Sequence, residues 1–236
     1  MFRYPRIDLL RGLAILMMVA FHGCYDLTYF GYAHFRMLED PWWTGWRTVI
    51  VGSFVLLAGI SLTLSRAGSQ RGARTRLLQL GGCATLVSAV TAVLFGPRWI
   101  YFGVLHFFVV ATLVTRPLLR YGPVLGIAGL ILFALGWVVR FDAMNPGWLN
   151  WVGLAAQKPQ TEDYAPLIPW LGLLWIGAWA GQRFPGLAGP SSAATAHPAS
   201  TVLHRLSLGT QSLGRHSLAI YMAHQPVLFG ILFLTR

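Results

Sequence analysis

Charge is what this sequence has least of. Only 11% of its 236 residues are charged, against roughly 25% in soluble domains, which excludes an ordinary water-soluble domain. Acids are scarcer still: 7 Asp plus Glu stand against 18 Lys plus Arg, a formal charge of +11. Lysine is nearly missing, with Lys158 alone among 17 arginines. Those arginines occur singly or in one short run between apolar stretches, so they form no continuous basic face and no nucleic-acid partner is expected. Of the 2 cysteines, Cys24 and Cys83 fall in separate apolar segments and belong to no Cys/His pattern. That leaves neither a disulfide nor a metal site to expect.

What fills the chain instead is apolar: 56% hydrophobic residues, with 10 Trp, far too much apolar surface for a disordered chain. Seven stretches approach the roughly 20 residues that a membrane helix needs: about 7–29, 46–65, 77–95, 100–118, 122–140, 166–183 and 207–234. Runs such as VIVGSFVLLAGISLTL are continuous rather than alternating, which excludes barrel strands. The expected fold is all-α, a polytopic membrane bundle of about seven transmembrane helices forming one domain over 1–236. The stretch PGLAGPSSAATAHPAS reads as a flexible cytoplasmic loop at about 184–205, and His197 within it as a solvated residue. Arg3, Arg6 and Arg11 before an apolar run imitate a signal peptide. Asp8 interrupts them and no small-x-small site follows, so the first helix reads as uncleaved.

With the N-terminus inside, twelve cations and one acid fall on the inner side, and six cations with six acids on the outer. The Lys/Arg bias places the N-terminus in the cytoplasm and, after seven spans, the C-terminus outside. The expected location is the cell inner membrane, with the lipid bilayer as the first partner. The four arginines of RAGSQRGARTR suit topology and headgroup contact, or an anionic cosubstrate.

Ionisable residues inside spans are expensive and usually face a bundle interior or a cavity. His22, His106 and His224 all fall between the bilayer midplane and its outer half. Each alone fits a neutral imidazole bonded to a neighbouring helix; their shared depth favours one site. Asp26 follows His22 by four residues, on the same helix face, where it reads either as an interfacial acid or as the group that orients the imidazole as a base. Near the inner face Asp8 and Arg11 are spaced i, i+3, and Arg215 opens the last helix; they pair locally or meet a cytosolic anion. The outer loop LEDPWWTGWR reads as an aromatic belt or as a sugar-binding surface through Asp40, Trp43 and Arg47. The 141–165 loop has the same two readings, with a lid as the functional one. Gly177 and Gly181 form a GxxxG suited to close helix packing. A proton-relaying transporter or flippase, and a noncatalytic envelope-assembly protein, are the rival classes.

The blocks RIDLLRGLAILMMVAFHGCYDL, FVLLAGISLTLS, YFGVLHFF, DYAPLIPWLGLLWIG and LGRHSLAIYMAHQPVLF, in that order along nearly the whole chain, resemble bacterial members of the heparan-α-glucosaminide N-acetyltransferase catalytic-domain family. The resemblance implies transmembrane acyl transfer from cytosolic acetyl-CoA, used as cosubstrate, to an amino sugar or hydroxyl of an extracytoplasmic glycan. It places Asp8, Arg11 and Arg215 near the CoA phosphates, and His22, His106 and His224 around the acetyl group. His22 with Asp26 then deprotonates the acceptor, and a covalent acetyl-imidazole is the alternative. Trp43-Thr44-Gly45 is similar to the family's lumenal Trp-Asn-Gly stretch. Asp40 stands where that stretch is preceded by a histidine, and His34 matches it only across an insertion. His22 occupies a first-helix position that is Asn in the lysosomal enzymes.

Overall fold

The structure, a computed structural model, describes residues 4–64, 70–188 and 201–235. Arg3, Arg66, His197 and Arg236 lie outside the described residues, as does the 189–200 part of the expected loop. Among the described residues eight α-helices follow in order: α1 Pro5–Tyr29, α2 Pro41–Leu64, α3 Gln70–Phe95, α4 Val104–Leu118, α5 Gly122–Val138, α6 Leu167–Arg183, α7 Thr201–Arg215 and α8 Ser217–Leu234. Among the described residues the only β pairing is an isolated bridge between Phe141 and Ala155. The all-α polytopic architecture read from the sequence is the one observed.

Among the described residues five helical runs are long and apolar enough to cross a membrane, and one of them, Val104–Val138, is 35 residues long. Straight, it would measure about 52 Å, well beyond the ~30 Å hydrocarbon core. It folds back instead at the turn Leu119–Tyr121, after Pro117 in the last turn of α4. Both limbs then lie on α6. Trp175 Nε1 donates to Thr115 Oγ1 of α4 at 3.0 Å, and Gly129 of α5 meets the backbone of Gly172.

The chain packs as two compact units, Met1–Phe54 with Gly186–Arg236, and Val55–Pro185. In the first unit α1 is the spine. A Cβ at Gly12 would sit 1.9 Å from Thr210 O, and one at Gly214 would sit 1.8 Å from Asp8 O. Only bare backbone permits that approach, which lays α7 antiparallel along the start of α1. Beside it, α8 runs parallel to α1, with Phe229 against Tyr29 and Phe30 and Tyr32 Oη donating to Thr235 O at 3.0 Å. Ile15, Met18, Phe21, Met37 and Ile50 form the buried core of this unit.

Three expected boundaries change, each for a local reason. The single span at 207–234 is two helices that part at His216, because α7 is amphipathic rather than uniformly apolar and a hydropathy reading runs it into its apolar neighbour. The arginines 71, 74 and 76 stand on the first turns of α3 rather than in a loop. The LEDPWWTGWR segment is likewise helix from Pro41 onward: Asp40 Oδ1 accepts from Trp42 N at 2.8 Å, so Asp40 caps α2, and Trp43 and Arg47 stand on its first two turns.

Candidate active site

His22 and Asp26 are one helical turn apart on α1, so they share a face, and α8 supplies the facing side chains. The His22 and His224 rings meet edge to face with centroids 4.8 Å apart. His22 Nδ1 lies 2.9 Å from Met18 O, and His224 Nδ1 lies 2.6 Å from Tyr221 O. A carbonyl oxygen can only accept, so both Nδ1 atoms carry the hydrogen and both Nε2 atoms present a lone pair. Each imidazole is therefore held by its own helix in the tautomer a base requires.

Asp26 has no exposed surface. Its Oδ1 accepts from Gln225 Nε2 at 2.8 Å, while its Oδ2, together with His224 Nε2 and Gln225 Oε1, is buried without a hydrogen-bond partner among the described residues. The expected role of Asp26 as the group that orients His22 is thus replaced: Met18 O fixes His22, and the partner of Asp26 is Gln225. An amide does not titrate, so a search for ionisable residues passes over Gln225. The signal for it is the polar pair His224-Gln225 in an otherwise apolar helix, directly before Pro226.

His106 belongs to the second unit and has a different setting. Gly103 N donates to its Nδ1 at 3.3 Å, so the hydrogen sits on Nε2, 3.0 Å from Ser88 Oγ. Ser88 in turn donates to Ile100 O at 2.6 Å. Both nitrogens are used, in a chain that clamps the 99–103 turn. Asp163 Oδ2 accepts from Val104 N at 2.9 Å and so caps α4. A Cβ on Gly103 would lie 2.3 Å from that oxygen, so the bare glycine lets the carboxylate reach. Asp163, Ser88 and this cap were not legible as a group, since 59 residues separate Asp163 from its helix.

The 141–165 loop is pinned rather than free to swing as a lid. Tyr101 Oη donates to Asn150 Oδ1 at 2.7 Å, Tyr164 Oη donates to Asn150 O at 2.6 Å, and Trp151 packs on Phe102. Burial, reinforced by neighbouring Tyr101 and only partly offset by Arg140, pushes the Tyr164 phenol up to about 12.

At the other end of α1, Asp8 Oδ1 and Arg11 Nη1 pair at 3.4 Å with both side chains 16% exposed. The Gly12 and Gly214 contacts bring the end of α7 to the same place, leaving Arg215 exposed beside them, with its Nε donating to Gln211 O at 3.3 Å. The three residues expected to act together there are therefore neighbours. In α2, Trp43 stacks on Trp46 at 5.5 Å and touches Phe21 and Phe35, so its ring is engaged in packing. Arg47 and Asp40 remain exposed. A cavity of about 180 Å³ lies nearby, lined by Tyr25, Thr28, Tyr29, Phe35, Met37 and Leu38. Among the described residues no group of three or more His, Cys, Asp or Glu is placed to hold a metal ion.

A multi-pass helical protein that sets two half-buried imidazoles and a half-buried amide about a fully buried carboxylate within its apolar segments holds groups suited to proton transfer. The chain belongs to the family described as heparan-alpha-glucosaminide N-acetyltransferase, catalytic, whose model matches residues 3–226. The matched stretch takes in Asp8, Arg11, His22, Asp26, His224 and Gln225. No curated protein and no solved structure matches the chain. Membership defines a membrane acyltransferase family and, in general terms, an acyl-CoA donor.

Proposed function

We propose that this protein is an integral membrane acyltransferase that moves an acetyl group from cytosolic acetyl-CoA to an amino sugar or hydroxyl of an extracytoplasmic glycan. The observation that carries this reading is the pair of imidazoles at 4.8 Å with both Nε2 lone pairs available beside a buried carboxylate. In it, the acceptor N–H or O–H gives its proton to His22 Nε2 as its N or O attacks the thioester carbon. The C–S bond then breaks, and the proton returns to the departing thiolate. General base catalysis of this kind contributes about 10²–10⁴-fold. His224 takes the second place in the relay, and His106, with no nitrogen free, leaves the reacting set.

Arg11 and Arg215, with Asp8 holding Arg11, receive the CoA phosphates at the cytosolic end. At the helical rise, about 16 Å of α1 separates Arg11 from His22, a gap that an extended acyl-CoA arm bridges. The orientation follows the arginine bias: N-terminus in the cytoplasm, C-terminus outside, in the inner membrane. Acceptor contacts fall to the first turns of α2, through Asp40, Arg47 and the edge of Trp43.

The test is acetyl transfer by the purified protein in nanodiscs, with labelled acetyl-CoA and an envelope glycan extract. Labelled glycan and stoichiometric CoA thiol are expected, both lost in Arg11→Ala and His22→Ala. If acetyl-CoA neither binds nor releases thiol with any extract, the reading fails.

A further inference from the structure

We infer that Gln225 is a positioning residue that fixes which oxygen of Asp26 is available, and that Asp26, Gln225 and His224 together form an all-acceptor seat for a hydrogen-donating group. The inference rests on the acyl-transfer reading for its role in turnover, but not for the seat itself.

The polarity of each atom follows from its partner. A carboxylate oxygen cannot donate, so the Gln225 atom 2.8 Å from Asp26 Oδ1 is the amide nitrogen and the amide oxygen points elsewhere. Tyr221 O fixes the hydrogen of His224 on Nδ1, leaving Nε2 as an acceptor. The three buried atoms without partners are therefore a carboxylate oxygen, an amide oxygen and an imidazole lone pair. Buried polar atoms are almost always satisfied in native proteins, and these three belong to Asp26 and to two successive residues of α8 that meet α1 at Asp26 and His22, so a single partner is assigned to them. That partner must bring hydrogens, because none of the three atoms has one to give. A thioester carbonyl oxygen brings none, so the seat suits the nucleophile of the acceptor and not the acyl group. Gln225 is what makes the arrangement directional: with Oδ1 engaged, Oδ2 is the oxygen left for the incoming group. Across the helix pair Asp26 meets Gln225 of α8; one turn back on α1 stands His22, whose ring faces that of His224, the residue before Gln225.

The experiment is infrared difference spectroscopy of the full-length protein in nanodiscs, with the Asp26 carboxyl band assigned by its loss in Asp26→Asn. Methylammonium, a small cation with hydrogens to donate, is expected to shift the band. Tetramethylammonium, equal in charge but without N–H, is expected to leave it in place. Gln225→Leu should move the resting band and lower kcat/KM for the glycan acceptor more than tenfold, while KM for acetyl-CoA stays within twofold. Gln225→Glu, close in shape but lacking the amide hydrogens, repeats the measurement if the leucine variant does not fold. An unmoved resting band in a folded Gln225 variant, or equal shifts with both cations, overturns the inference. Band shifts as expected in a protein that transfers no acetyl group would uphold the seat and sink the acyl-transfer reading. Transfer with an unmoved band would do the reverse.

Discussion

His22 and His224 in one unit, and His106 in the other, look alike in the sequence: each is a lone imidazole in an apolar run. Their surroundings separate them. The first two spend one nitrogen on a carbonyl of their own helix and keep the other open, whereas His106 uses both, with Gly103 N on one side and Ser88 on the other. Depth in the membrane thus marks a histidine as constrained, and the count of engaged nitrogens decides what the constraint serves. An imidazole with a spare lone pair is equipped for proton transfer; one with none is a clamp.

The comparison is broken most directly by exchanging the assay. Alanine at His22 or His224 should lower acetyl transfer by about 10²–10⁴-fold with little change in thermal unfolding, measured on the same nanodisc preparation. His106→Ala should do the opposite, because it strands Ser88 Oγ and the Gly103 N–H. A loss of about 1–3 kcal/mol in unfolding free energy is expected, with turnover per folded molecule retained. If His106→Ala costs as much turnover as His22→Ala at unchanged stability, the distinction collapses. Asp163→Ala removes the cap of α4 and should cost about 1 kcal/mol, read by unfolding and by faster hydrogen exchange at Val104. The smallest effect is at Tyr164. Its phenol in the folded protein, at about 12, lies above the ordinary value of ~10. The stability it contributes is therefore complete below about pH 10 and lost as pH rises through 12. An ultraviolet phenolate titration in which Tyr164→Phe removes no late-titrating tyrosine would contradict this.

Much of this was readable from the residues. Apolar runs located the crossing helices, since hydropathy is a sum over many positions and tolerates local error. The His22–Asp26 face followed from helical period alone, and so did the meeting of Asp8 with Arg11. The pairing of Asp26 with Gln225 did not, because it joins residues 199 apart and an uncharged amide gives no hydropathy signal of its own. The break at His216 was hidden for another reason. Amphipathicity depends on direction around the helix, whereas a hydropathy sum discards direction. Trp43 shows the limit of motif reading: its position suits a sugar platform, yet Phe21, Phe35 and Trp46 surround the ring.

The cap of α4 has a consequence for biosynthesis. A chain inserted from its N-terminus places α3 and α4 in the bilayer well before Asp163 has been made. Until that carboxylate arrives, the Val104 N–H at the start of α4 has no side-chain acceptor. Completion of one helix end therefore waits on a segment translated 59 residues later, and a chain truncated between α5 and Asp163 would carry an α4 that is threaded but unfinished.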